Sequence, residues 1–271
     1  MRLINRKPGR PLAAFLLLLP FMAVLLVYTV ASDIRRAENP RDKLLPAPAQ
    51  IAMTAQRLVT EPDRRSERIL FWVDTGASLE RLGLGVGIAA LSALVLGLAI
   101  GLVPLARSGL EQFVGVISMI PPLALLPILF ISLGVGEASK VALIVIGIAP
   151  VMTRDLAQRV REIPAEMLVK AQTLGASTRA IALSIALPQI LPRLVTAVRL
   201  GLGPAWLFLI ASEAVASESG LGYRIFLVRR YLAMDIILVY VVWITVLAVL
   251  IDYALRVVSA RAFPWAGEAA R

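Results

Sequence analysis

From Leu12 to Ala31 the chain runs about twenty residues without a charged side chain, and long apolar stretches return at 82–105, 113–133, 194–215 and 236–255. A helix needs roughly 18 or more apolar residues to cross the ~30 Å hydrocarbon core of a bilayer. In that core every backbone N–H and C=O must be satisfied internally, which leaves helices or a closed barrel. Runs of this length without period-2 alternation specify helices. The chain is 59% apolar and 17% charged, with a mean hydropathy of +0.82, against about 45–50% apolar in an ordinary soluble domain. The expected fold is therefore all-α, a polytopic transmembrane bundle of about six spans.

The spans are expected at 12–31, 82–105, 113–133, 138–155, 194–215 and 236–255. Residues 1–11 form a basic N-terminus with Arg2, Arg6, Lys7 and Arg10. A secretory leader also starts basic, but its apolar region is about 7–15 residues. The run here is longer and no clear A-x-A site follows, so a retained span is expected. Residues 32–81 are a polar loop whose segment 44–58 has helical apolar spacing, as for an amphipathic helix covering the bundle or lying on the membrane. The pairs Gly83/Gly87 and Gly97/Gly101 have the spacing of helix-packing glycines. Pro121, Pro122 and Pro127 interrupt the third span. Such breaks are tolerated only where protein or a water-filled cavity satisfies the freed backbone, so this span is expected to face inward. The fourth run, 141–152, is short and needs its flanks to cross.

The absences are equally informative. The chain has no Cys and no His, so disulfides, thiolate chemistry, Cys/His metal sites and Ser-His-Asp triads are excluded. The formal net charge of +10 fits Lys and Arg retained on the cytoplasmic side of a membrane protein. The Arg residues lack interleaved aromatics, which argues against nucleic acid. With the N-terminus inside, six spans place the loop 156–193 and the tail in the cytoplasm, and the loop 32–81 outside.

The cytoplasmic loop carries the functional signal. Residues 168–194 read LVKAQTLGASTRAIALSIALPQILPRL. Gly175 suits a helix C-terminal cap in the left-handed conformation, and Ser177 suits the N-cap of a following helix. The result is a helix-turn-helix hairpin.

That segment resembles the EAA loop of ABC importer permeases: Glu-Ala-Ala, three residues, Gly, nine residues, Ile, one residue, Leu-Pro. Val169, Lys170 and Ala171 stand at the first three positions, Gln172 opens the spacer, Gly175 is at the required distance, and Ile185 with Leu187 and Pro188 completes the pattern. Val and Lys replace the Glu and the first Ala. The segments at 117–144, 212–225 and Phe263–Trp265 resemble the nitrate, sulfonate and taurine branch of these permeases. The segments at 38–48 and 229–244 resemble a narrower subgroup that accompanies urea carboxylase and is associated with urea- or guanidine-like solutes.

The resemblance implies a type I ABC importer permease fold and a multi-pass protein of the bacterial inner membrane. It implies that Val169, Lys170, Ala171, Gln172, Gly175, Ala176, Ser177, Leu187 and Pro188 form the loop that docks on an ATPase dimer. It further implies a periplasmic solute-binding protein and a second copy of the permease as partners. ATP would be used by the partner subunit and no cofactor held by this chain, which has no G-x-x-x-x-G-K-[ST] loop.

Candidate pathway residues are Ser118, Pro121, Pro122, Trp206, Ser212 and Glu213. A Trp in a span more often serves packing or as an interface anchor, which is the other reading of Trp206. Glu213 either pairs with Arg224 or Arg229 or meets solute. Arg199 reads as snorkelling to the inner face, and Asp252 as an i,i+4 partner of Arg256. The alternative is a secondary transporter of a small solute, for which inverted repeats and midplane charges are typical. No internal repeat is present, and the charges lie near span ends.

Overall fold

The computed structural model describes residues 9–39, 42–63, 66–215 and 217–266. Arg2, Arg6, Lys7 and most of the basic N-terminus lie outside the described residues, as does the end of the tail. Among the described residues all regular structure is helical.

Helix α1 (Arg10–Glu38) carries the first apolar run, and none of its most apolar window is buried by the rest of the chain. It is tied down near its C-terminal end: Tyr28 Oη donates to the carbonyl of Pro46 and Ser32 Oγ to that of Leu45. From the last turn of α1, Arg35 donates to Asp42 at 2.6 Å. That bond, with the Leu44 N–H, holds the Asp42 carboxyl below its usual pKa. Helix α2 (Pro48–Thr60) is the amphipathic segment. It packs on the bundle, where Thr54 Oγ1 donates to Asp235 at 2.8 Å.

Helix α3 runs Leu70–Leu102, about 50 Å. It begins well before residue 82, so the last part of the expected 32–81 loop is helix. One face explains the length. Asp74, Ser78, Leu82, Gly85, Ala89, Ala93, Gly97 and Gly101 are all buried, at helical i,i+3 and i,i+4 spacing, and most are small. Against this ridge lies α6 (Glu137–Arg161). A Cβ added at Gly85 would lie 2.8 Å from Ile144 Cβ, and one at Gly97 2.8 Å from Leu156 Cβ. Small residues thus let the two backbones approach, as packing in lipid favours. Gly97 and Gly101 sit in this seam; Gly83 and Gly87 do not, for a Cβ added at either would meet no neighbouring helix within 4 Å.

The third expected span, 113–133, is not a continuous helix. Helix α4 (Pro104–Ile117) ends at Ser118, a 3₁₀ turn occupies Pro122–Leu125, and α5 (Leu126–Leu133) follows. The axis bends by 84°. Pro121 and Pro122 bring no N–H to the helical ladder and clash with the preceding turn. Among the described residues five helices are therefore long and apolar enough to cross a membrane, with a sixth crossing if the bent pair counts as one span.

The short fourth run belongs to α6, a continuous helix of 25 residues that is the most buried of the five. Past it come α7 (Ala165–Thr173) and α8 (Thr178–Ile181). Through a π turn at Ala182–Ala186, α8 continues into α9 (Leu187–Val215). The expected loop 156–193 thus includes the end of α6 and the first turns of the fifth span. Helices α10 (Leu221–Arg229) and α11 (Met234–Ala262) complete the bundle. The core holds Leu143, Ile144, Ile148 and Leu156 of α6 against Ala89 and Ala93 of α3 and Ala205, Phe208 and Leu209 of α9.

Charges mark the two ends of this core. At the α7–α8 end, Arg107 donates to the carbonyls of Ile100 and Gly101, and Arg161 pairs with Glu111 at 2.6 Å. Arg199 does not simply snorkel there: it pairs with Asp252 at 2.7 Å, and Asp252 also takes Arg256 at 3.1 Å. All three are partly exposed, so Asp252→Asn is expected to change stability little. Its melting temperature in detergent should stay within a few degrees of the parent.

Candidate functional site

The hairpin is built by local backbone chemistry. Helix α7 ends at Leu174, and Gly175 follows at φ +81°. Its N–H donates to the Gln172 carbonyl at 2.9 Å, and that of Ala176 to the Ala171 carbonyl at 3.0 Å. These two bonds define a Schellman cap, which an L side chain at the glycine position would strain. Ser177 then accepts the Ala180 N–H at 3.2 Å and caps α8. Ala171 is buried, whereas Leu174 is 79% exposed and Val169 and Leu183 are also exposed. The hairpin therefore carries uncovered apolar side chains beyond the end of the bundle. Leu187 and Pro188 follow directly on the π turn within this continuous helical run, so Pro188, which has no N–H to offer, stands where the i→i−4 ladder is already shifted.

The opposite end of the core contains what the sequence reading missed. Three acids (Asp74, Glu137, Glu213) meet three bases (Arg81, Lys140, Arg224). Arg81, 5% exposed, donates to both Glu137 and Glu213, the latter at 2.7 Å. Lys140 pairs with Glu137 at 3.0 Å, and Arg224 with Asp74 at 2.7 Å. Glu213 is 0% exposed and also accepts from Ser78 Oγ at 2.7 Å and from the Gly222 N–H at 2.8 Å. The Gly220 N–H donates to Asp74 at 2.9 Å and the Leu221 N–H to Ser78 at 2.9 Å. Side chains of α3 and α9 thus satisfy the free N–H groups that open α10. Gly220 has φ +126°, and a Cβ there would overlap the Glu213 carboxylate. The expected partners of Glu213, Arg224 and Arg229, are therefore replaced by Arg81. The signal available in the sequence was Arg81 beside the apolar run, with Asp74 and Ser78 at helical spacing before it; assigning 32–81 to a loop hid that face.

The remaining candidates are not assembled into one site. Ser212 is fully buried and donates to the Leu209 carbonyl. Trp206 is buried in the core, and its indole N–H has no acceptor among the described residues. Pro121 and Pro122 lie in the break. Ser118 sits at its start, where its Oγ accepts from Arg154 at 2.9 Å. Arg154 and Glu137 are separated by 17 residues of α6, about 26 Å along the axis, so Ser118 and Glu213 serve different ends. Two grooves flank α6 near Arg154. A mainly apolar one of about 260 Å³ lies between α6 and α9 and includes Gly147, Met152 and Pro204. A polar one of about 480 Å³ lies between α4 and α6 and includes Gln112, Arg154 and Gln158. Val151 and Asp155 line both.

A five-to-six-span helical bundle with a capped hairpin between its fourth and fifth crossings is the architecture of a type I ABC importer permease. The chain belongs to the family of binding-protein-dependent transport system inner membrane components, whose model matches residues 83–264, in its nitrate, sulfonate and taurine branch. It is 37% identical over 198 residues to the taurine transport system permease protein TauC of Escherichia coli, covering 73% of this chain and 72% of that one. It is 24% identical over 264 residues to the putative aliphatic sulfonates transport permease protein SsuC of Bacillus subtilis, covering 97% and 92%. In fold it matches a chain of the MetNI methionine ABC transporter, solved in inward-facing conformations, with a TM-score of 0.59 at 22% identity over 71% of this chain and 96% of that one.

Proposed function

We propose that this chain forms the translocation pathway of an ABC importer for a small polar solute of the taurine or sulfonate kind, driven by a separate ATPase. The observation that carries the coupling role is the hairpin: a glycine-capped turn with uncovered Val169, Leu174 and Leu183 at the end of a bundle whose other apolar surface suits lipid. An exposed apolar patch rimmed by polar residues marks a protein contact, and Lys170, Gln172 and Ser177 supply the rim, with Ala176 in the turn between them. With this end in the cytoplasm, the partner is the ATPase dimer, which binds and hydrolyses the ATP, and a periplasmic binding protein meets the charge-network end. A second copy of the chain completes the pathway against the broken span, where Ile131 is 87% exposed and Val116 and Met119 are also bare. Ser118, Pro121, Pro122 and Trp206 remain the pathway candidates, Trp206 because its buried N–H is available to a solute or water.

The test is Gly175→Asp. A side chain at φ +81° strains the turn, but nothing lies within 4 Å of a Cβ there, so the strain stays local and the permease should still fold and insert. The added charge and bulk at the turn should abolish co-purification with the ATPase and ATP-driven taurine uptake. Unchanged binding and uptake would overturn the docking role. Uptake of urea or guanidinium in place of taurine would reassign the solute to the narrower subgroup.

A further inference from the structure

The stretch of α6 beside the two grooves balances its charges unevenly. Glu111 is held by Arg161 at 2.6 Å, and Glu162 by Arg159 at 3.2 Å. Arg154 is engaged by the Ser118 hydroxyl. Asp155 alone among these acids receives no hydrogen bond among the described residues. Its single ion-pair contact is Arg159 at 3.6 Å, and Arg159 is the better held by Glu162. Asp155, whose side chain is 43% exposed, also lines both grooves, and it is the one acid in the wall of the apolar groove. A carboxylate that takes no hydrogen bond from the described residues, in a wall otherwise made of Gly, Ala, Ile, Val, Met, Leu and Pro, is a place where a ligand gains from supplying donors. A ligand cation can displace Arg159 cheaply, because a long, exposed i,i+4 pair is weak and Arg159 keeps Glu162.

The geometry points to a solute subsite where the two grooves meet, in which Asp155 accepts hydrogen bonds from a cationic nitrogen of the solute, an ammonium or a guanidinium. A charge-assisted bond of this kind is about twice as strong as a neutral one, and the adjoining apolar wall accepts a short carbon body or the face of a planar cation. The proposal rests on the permease reading and narrows it: solutes with a cationic nitrogen are selected over sulfonates without one.

Occupancy can be read without transport. The chain has no cysteine, so Val151→Cys places a single thiol on this chain at a position that is 57% exposed and lines both grooves. The permease, assembled with its ATPase in nanodiscs, is labelled with a neutral maleimide in the presence of taurine, guanidinium or ethanesulfonate. Taurine or guanidinium is expected to slow labelling at least fivefold, and the one that does so identifies the source of the cation. Ethanesulfonate, which has no nitrogen, is expected to leave the rate unchanged. Adding Asp155→Asn should remove the protection, and Asp155→Glu should retain part of it. Protection by neither nitrogen compound, equal protection by ethanesulfonate, or protection that survives Asp155→Asn would each overturn the subsite. ATP-driven uptake by the parent complex is scored separately: its absence alongside intact protection would sink the permease reading while leaving the subsite standing.

Discussion

Arg81→Leu is expected to lower stability by about 3–5 kcal/mol, the cost of removing one partner from a buried ion pair. Glu213 would be left fully buried with its charge uncompensated, and Glu137 would keep only Lys140. The remaining donors to Glu213, Ser78 and the Gly222 N–H, are neutral and do not replace a guanidinium. The loss should appear as a large drop in melting temperature of the detergent-solubilised protein, far beyond that of Asp252→Asn at the exposed end. Most of the penalty comes from the stranded acid rather than from the missing contact, so Arg81→Leu/Glu213→Gln should be less destabilised than the sum of the two single variants. Additive losses would show that the two residues do not share a site.

Gly101→Leu is the second change with a large expected effect. A Cβ at Gly101 would overlap Val160 Cβ, which is fixed to the α6 backbone, and would lie 3.2 Å from the Ala157 carbonyl oxygen. Neither neighbour can swing away as the tip of a long side chain could. Overpacking typically costs about 1–3 kcal/mol, and here it also separates α3 from α6 at the end held by Arg107. The variant is expected to insert poorly and melt early. Gly101→Ala/Val160→Ala should recover little of the loss relative to Gly101→Ala alone, because alanine keeps the Cβ that is overlapped. By contrast, Gly83→Leu, with nothing within 4 Å of its Cβ, should be tolerated; equal sensitivity at 83 and 101 would contradict the packing of the seam.

That contrast shows where the sequence was legible. Both glycine pairs have the same spacing and the same apolar surroundings, so composition could not tell which faces a helix and which faces outward. The partner decides, through Ile144, Leu156 and Val160 on a helix more than forty residues further along. The same limit hid Arg81. A charge beside an apolar run reads as a loop residue until Glu137 and Glu213 arrive from two other helices. The short fourth run was ambiguous for a related reason: α6 faces protein on much of its surface, so it needs fewer apolar residues than a lipid-facing helix such as α1.

The apolar runs by themselves determined a multi-span helical protein, because a backbone in hydrocarbon has almost no other way to satisfy its hydrogen bonds. The hairpin was equally determined, since a glycine cap and a serine cap act within a few residues of chain. The tertiary structure alone decided the 84° break as a geometry, the seam of small residues, the six-charge network and the junction of grooves at Asp155. Each of these depends on which side chains meet across helices distant in sequence, and the free energy of a buried charge or a close approach is set by that neighbour.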